Sequence, residues 1–153
     1  MKKLFCFISV LLVAFCIVGC SPRKDDYVDI GVETMNLEIG NYSFEIDLEN
    51  NATAQALVEL LPLDINMSEL NGNEKYYYLD SNLPTNAQKV GQINAGDVML
   101  YGRNCLVIFY KSFSSGYSYT KIGHIKDTSN LQNAVGTGSV FVKWSIWLLS
   151  KIK

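Results

Sequence analysis

The chain has 153 residues, with 13 basic and 15 acidic side chains and a formal net charge of −2 at pH 7. That length suits one domain with a real hydrophobic core. The slightly acidic balance argues against a nucleic-acid partner, because such a partner would require a clustered basic face.

The first twenty residues have the pattern of an export signal. Lys2 and Lys3 precede an apolar run over residues 4–18, and a glycine and Cys20 follow it. A basic start, an apolar core and small residues before a cysteine are typical of a bacterial lipoprotein signal. An N-terminal transmembrane helix is the alternative, but the run of about 15 apolar residues is shorter than the roughly 20 that span a bilayer. We therefore predict a signal peptide over residues 1–19 and lipidation of Cys20.

A lipid on Cys20 would anchor the protein to a bacterial cell membrane, facing the periplasm or the exterior. Many lipoproteins kept at the inner membrane carry an aspartate at the next position, where this chain has Ser21. In a host with two membranes we therefore expect the outer one. Residues 20–35 are predicted to be the lipidated tether. Cys105 is the one cysteine left in the domain, and we expect a buried, unreactive thiol.

The first predicted elements of the domain are a hairpin and a helix. Residues 36–48 alternate apolar and polar side chains around a Gly-Asn turn, which predicts a β-hairpin. Residues 52–61 carry one apolar stripe at helical spacing, with Asn50 or Asn51 as the N-cap and Pro62 ending the helix.

The rest of the domain is predicted to be mainly β. Short apolar or alternating runs predict further strands at residues 63–67, 75–79, 98–101, 105–110, 119–125 and 140–144. The hairpin of 98–101 and 105–110 is apolar on both faces and is expected at the centre. Residues 80–95 and 112–118 are predicted to be surface loops, and 128–135 is a candidate for a short second helix. About eight strands and one clear helix predict a closed or nearly closed barrel.

Seven short strings lie along the middle of the chain in this order: Asn51-Ala52-Thr53-Ala54, Leu60-Leu61-Pro62, Asn73-Glu74-Lys75, Leu83-Pro84, Ala95-Gly96-Asp97, Ile108-Phe109-Tyr110-Lys111 and Ile122-Gly123-His124-Ile125. In this order and spacing they resemble the bacterial cyclophilin-like domain family. The resemblance implies an eight-stranded barrel of the cyclophilin type over residues 36–144, and the family has no settled activity. Residues 145–153 form an apolar and basic extension that we expect to pack on the domain, with strand extension or membrane contact as alternatives.

Candidate catalytic residues are few. Cyclophilins that catalyse prolyl isomerisation carry an arginine in a Phe-His-Arg string, which this chain lacks. Arg103 lies in a predicted turn, where a solvated role is expected, and His124, the only histidine, is expected to be structural or exposed. Because the sequence has neither metal-ligand spacing nor a cofactor motif, we expect no metal and no cofactor. The missing prolyl-isomerase residues favour a non-catalytic protein over an enzyme and leave catalysis an open alternative.

The aromatic residues give a better indication of a site. In the strand at residues 75–79, alternation turns Tyr77 away from its two tyrosine neighbours, and more aromatic residues surround the predicted loop at 112–118. Aromatic surfaces with polar tips favour peptides or small organic ligands. The candidate ligand-binding residues are Tyr110, Lys111, Phe113 and Tyr117, with Arg103 and His124 as weaker members.

These features predict a lipid-anchored, non-catalytic module that binds a peptide or small ligand. Two alternatives stay open. One is a divergent prolyl isomerase or another enzyme that acts in the barrel cleft, and the other is a structural envelope protein that makes its contact through the C-terminal extension.

Overall fold

A computed structural model describes residues 34–146 of the chain. The predicted signal peptide, lipidated Cys20, most of the tether and most of the C-terminal extension lie outside the described residues. The domain contains nine strands and two helices: β1 (Thr34–Ile39), β2 (Tyr42–Leu48), α1 (Ala52–Glu59), β3 (Leu63–Leu70), β4 (Glu74–Tyr78), β5 (Gln88–Ile93), β6 (Asp97–Tyr101), β7 (Cys105–Phe109), β8 (Phe113–Ile125), α2 (Leu131–Val135) and β9 (Val140–Ile146).

Eight of the strands form a closed ring. Their order is β2-β1-β9-β3-β4-β7-β6-β8, and β8 pairs back onto β2 to close the circle. Every neighbouring pair is antiparallel. The mainly β class and the ring of about eight strands are thus confirmed. The ring begins at Thr34 and ends at Ile146, two residues beyond the predicted domain at each end.

The ninth strand lies outside the ring, where the sequence predicted loops. The first half of β8, from Phe113 to Tyr119, leaves the ring and pairs with β5 instead. The prediction of surface loops at 112–118 and across 88–93 was therefore wrong, whereas residues 80–87 do lack regular structure. Most of β5 is exposed on both faces. Main-chain hydrogen bonds rather than an apolar face define this strand, so no alternating pattern marks it.

The predicted hairpin and helix are confirmed. Ile39 pairs with Tyr42 across a two-residue turn, in which Gly40 has φ +58°. Helix α1 begins after Asn51, whose Oδ1 accepts a hydrogen bond from Ala54 N at 2.9 Å. Such a cap satisfies one of the free amide groups at the helix start and stabilises by about 1 kcal/mol. The short second helix is also present, as α2.

The interior of the ring holds the main apolar core. Trp144 and Leu37 are fully buried there, and Leu57 of α1 and Leu131 of α2 pack into the same cluster. A second, smaller cluster lies on the outer face of the sheet, between the ring and β5, and consists of Ile93, Met99, Cys105, Val107, Phe109 and Tyr119. Because β7 faces one cluster on each side, all five of its residues are buried, which confirms the predicted central hairpin.

Candidate functional site

A cleft of about 420 Å³ opens on the outer face of the ring, beside the second apolar cluster. Its floor is formed by β4, β7 and the end of β6, which are neighbours in the sheet. The first half of β8, residues 113–119, forms the opposite wall. The turn after β3 closes one end. The cleft therefore forms because the first half of β8 leaves the ring to pair with β5.

Six aromatic side chains line this cleft: Tyr76, Tyr78, Tyr101, Phe113, Tyr117 and Tyr119. The register brings them together, because Tyr78 and Tyr101 both pair with the same residue of β7. The rings of Tyr101 and Tyr117 meet edge to face, with centroids 6.1 Å apart. Tyr78, Tyr101 and Tyr117 remain 60%, 45% and 64% exposed. Large, partly exposed aromatic rings grouped at a concave surface are typical of a ligand-binding site.

Among residues 34–146, Glu74 supplies the only carboxylate in the lining of the cleft. It lies on the same face of β4 as Tyr76 and Tyr78, and it is only 8% exposed. Burial, together with the charge of Glu69 nearby, raises the pKa of the Glu74 carboxyl. Within residues 34–146 its oxygens form neither a hydrogen bond nor an ion pair. A nearly buried carboxylate without a partner is unusual, since buried polar groups are normally hydrogen-bonded.

The lining includes further polar residues, among them Asn73 and Cys105. Asn73 precedes Glu74, and its buried Oδ1 also has no hydrogen-bond partner. Cys105 is buried, and burial raises the pKa of its thiol to about 11. The thiol is therefore protonated at neutral pH, as expected of an unreactive cysteine.

The structure places the predicted site residues in separate parts of the domain. Phe113 and Tyr117 lie in the cleft. Tyr110 and Lys111 instead border a second recess of about 390 Å³, between the β3–β4 turn and α2. Arg103 lies exposed in the β6–β7 turn, where its carbonyl oxygen accepts a hydrogen bond from Leu83 N at 2.8 Å.

His124 lies on β8 opposite the first residue of β6 and does not line the cleft. Its Nδ1 is 2.9 Å from Asp97 Oδ1, and about half of its side chain is exposed. The residue opposite it in β6 is the same Asp97, so cross-strand pairing explains the contact. The geometry matches the structural or exposed histidine expected from the sequence.

Beside the second recess, Tyr110 takes part in a largely buried polar network. Its hydroxyl donates to both carboxylate oxygens of Glu69 at 2.9 Å, and Lys75 Nζ also bonds Glu69. Lys75 is fully buried and donates to the carbonyl oxygens of Gly136 at 3.2 Å and Gly138 at 2.6 Å. Burial and the Glu69 contact raise the pKa of Tyr110 to about 12. The network fastens the segment after α2 to β3 and β4.

The lining residues that the sequence analysis did not propose include four with large or charged side chains: Glu74, Tyr76, Tyr78 and Tyr101. As the alternation predicted, Tyr77 points away from its two tyrosine neighbours. It packs against the interior cluster. The same alternation indicated that Tyr76 and Tyr78 share the opposite face of the strand. Tyr101 joins them only through the pairing of β4, β7 and β6, which local sequence does not specify.

Residues 34–146 contain neither a metal-binding cluster nor a membrane-spanning helix. No group of three or more His, Cys, Asp or Glu side chains in this range is placed to hold a metal ion. None of the helices in the described part of the chain is long and apolar enough to cross a membrane.

The closed antiparallel ring with two helices packed on its core defines a small, mainly β domain that is consistent with a cyclophilin-like fold. A family model described as the cyclophilin-like family matches residues 37–145, and the chain belongs to this family. Searches of curated proteins and of solved structures returned no match. The family resemblance predicted from short sequence strings is thus confirmed.

Proposed function

We propose that the protein is a bacterial lipoprotein whose cyclophilin-like domain binds a peptide or a small organic ligand in the aromatic cleft. The observation that carries the binding function is the lining itself: six aromatic side chains around about 420 Å³ of open volume. Sites for small ligands commonly measure about 300–1,000 Å³ and combine apolar walls with a few polar groups. The membrane anchor is supported by the signal-like pattern that ends at Cys20.

The exposed part of the aromatic lining favours binding over ordinary packing. Tyr78 and Tyr101 face the cleft from the sheet, and Tyr117 faces it from β8. Packing in the second apolar cluster accounts for the more buried Tyr119. Exposed aromatic rings that share one concavity bury large areas when a ligand enters, with little loss of side-chain freedom.

A ligand screen with matched variants tests this proposal. Small aromatic compounds and blocked tripeptides are titrated against the full chain in a non-ionic detergent, with binding followed by ligand-observed NMR. Tyr117→Ala is expected to abolish the binding. Tyr42→Ala removes an exposed tyrosine that is not in the lining, and should leave binding unchanged. Equal loss in both variants, or binding that neither affects, would count against the cleft.

A prolyl-isomerase assay separates binding from catalysis. The spontaneous reaction crosses a barrier of about 20 kcal/mol and takes tens of seconds, so catalysis is readily detected. We expect the rate with folded protein to equal the spontaneous rate. A faster rate that is lost in Tyr117→Ala would replace the binding module with an enzyme that uses the same cleft.

A further inference from the structure

The charge of the cleft limits what it can bind. Among the lining residues, Glu74 is the only side chain that carries a charge near neutral pH. Within the described part of the chain, the lining contains neither lysine nor arginine. The nearest lysine in sequence, Lys75, points into the ring and is engaged by Glu69. A negatively charged ligand would therefore meet an unpaired carboxylate with no cation to offset it.

Glu74 also lacks the partner that a buried carboxylate requires. The residue is 8% exposed and lies on the cleft side of β4, and no group in residues 34–146 donates to its carboxylate. A carboxylate accepts hydrogen bonds, so the complementary ligand is one that donates them.

The aromatic walls are suited to the same kind of ligand. The face of an aromatic ring carries partial negative charge and attracts a cation placed within about 6 Å of its centroid. Tyr76 and Tyr78 stand edge to face at 5.7 Å on the strand that carries Glu74, and Tyr117 faces them from β8. A cation held by Glu74 would lie among rings from two sides of the cleft.

The dimensions favour an organic cation over a metal ion. A cleft of about 420 Å³ is far larger than an ion needs, and calcium in proteins takes about 6–8 oxygen ligands, against one carboxylate here. A primary ammonium or a guanidinium group supplies several donors and a carbon skeleton that can lie along the tyrosines.

We propose that the cleft binds an organic cation, with an ammonium or guanidinium group on Glu74 and its carbon chain against the tyrosine rings. This inference rests on the proposed function, because it names the ligand class of the same cleft. The cation is either a free amine or the basic side chain of a peptide, and the chemistry at Glu74 is the same for both.

Two pairs of probes test the charge of the ligand. The free amine is represented by phenethylammonium, with phenethyl alcohol as its neutral counterpart. The peptide is represented by acetyl-Ala-Lys-Ala-amide, with the norleucine peptide as its neutral counterpart; both ends are blocked, so lysine carries the only charge. Each probe is titrated by ligand-observed NMR against the full chain in a non-ionic detergent.

We expect each cationic probe to bind about 10- to 100-fold more tightly than its neutral counterpart, the range of a charge-assisted hydrogen bond. Glu74→Gln should remove that preference. Glu59→Gln makes the same chemical change on the exposed face of α1 and should leave it intact. Whichever cationic probe binds more tightly identifies the source of the cation.

The outcomes separate this inference from the function on which it rests. If neutral and cationic probes bind equally, Glu74→Gln changes nothing and Tyr117→Ala abolishes binding, the cleft is a ligand site and the cation inference is wrong. If no probe of either charge binds the folded protein, the inference is also wrong, and the wider screen with Tyr117→Ala then decides the proposed function. A circular dichroism spectrum matching that of the unmodified chain shows that each variant is folded.

Discussion

At Glu74 the fold keeps a carboxylate in surroundings that oppose its ionisation. Burial and the charge of Glu69 raise its folded-state pKa above the value of about 4.5 expected in the unfolded chain. Below about pH 4.5 the group is protonated in both states and has no effect on stability. As pH rises through the folded-state pKa, the folded protein loses stability relative to the unfolded chain.

Replacing Glu74 by glutamine should therefore stabilise the protein at neutral pH. Gln resembles the neutral acid in shape, so Glu74→Gln should raise the free energy of unfolding at pH 7, and the gain should vanish near pH 4. Urea unfolding at several pH values measures this. Glu59→Gln, on an exposed helix surface, serves as the control and should show no such trend. A variant that is less stable than the natural chain at pH 7 would contradict the prediction.

Lys75 presents the opposite case, a buried charge with a full set of partners. Burial raises the pKa of Glu69, but hydrogen bonds from Lys75 and Tyr110 outweigh that effect and leave the pKa below its usual value. The stability that this pair adds is present above about pH 4.5 and is lost as pH falls through the lowered pKa.

Lys75→Met should destabilise the protein by about 3 kcal/mol, because it leaves Glu69 without its cation and two carbonyl oxygens without their donor. We place the loss at the lower end of the usual range because the Glu69 side chain keeps 22% exposure. Urea unfolding at pH 7 measures it, and the deficit should shrink in acid. Adding Glu69→Gln to Lys75→Met should recover part of the loss, and no recovery would contradict the pairing.

Among the elements, β8 has the largest role, because it closes the ring with one half and builds the cleft with the other. Its second half pairs with both β6 and β2, and its first half pairs with β5. At Gly123 the strand lies so close to β2 that an added Cβ would be 2.4 Å from the Asp47 carbonyl oxygen. That atom belongs to the backbone, so the strands themselves would have to move.

Gly123→Ala should consequently weaken the ring closure between β2 and β8 and cost about 1–3 kcal/mol of stability. Gly116→Ala is the matched control in the same strand, because nothing lies within 4 Å of the added methyl group there. Thermal unfolding of both variants measures the difference. Equal stability of the two variants would show that the close approach at Gly123 has no energetic consequence.

The same strand shows which elements sequence patterns could predict. The β6–β7 hairpin was predicted because burial on both faces leaves a continuous apolar run. Strand β5 and the start of β8 were missed because their pairing is made by main-chain groups and most of their side chains face solvent. In the cleft, alternation indicated that Tyr76 and Tyr78 share a face, whereas the contribution of Tyr101 depends on a register between distant strands.

At the scale of the whole molecule, the core and the cleft are separate. The main core fills the ring, and the cleft lies on its outer face over a second apolar cluster. Changes to the exposed tyrosines of the lining should therefore alter binding with little effect on the fold. Such a separation suits a binding module, because the surface can vary while the ring preserves its stability.

The proposed membrane anchor also concerns the whole molecule, and Cys20 is the residue that tests it. If residues 1–19 are a lipoprotein signal, the chain should incorporate a labelled fatty acid in a bacterial host and lose those residues. Cys20→Ser should do neither, since the acceptor sulfur is absent. Cys105→Ser is the matched control, because that thiol is buried in the second apolar cluster. Label in Cys105→Ser and none in Cys20→Ser is the expected result. A natural chain that is unlabelled and keeps its first 19 residues would instead support an N-terminal transmembrane helix.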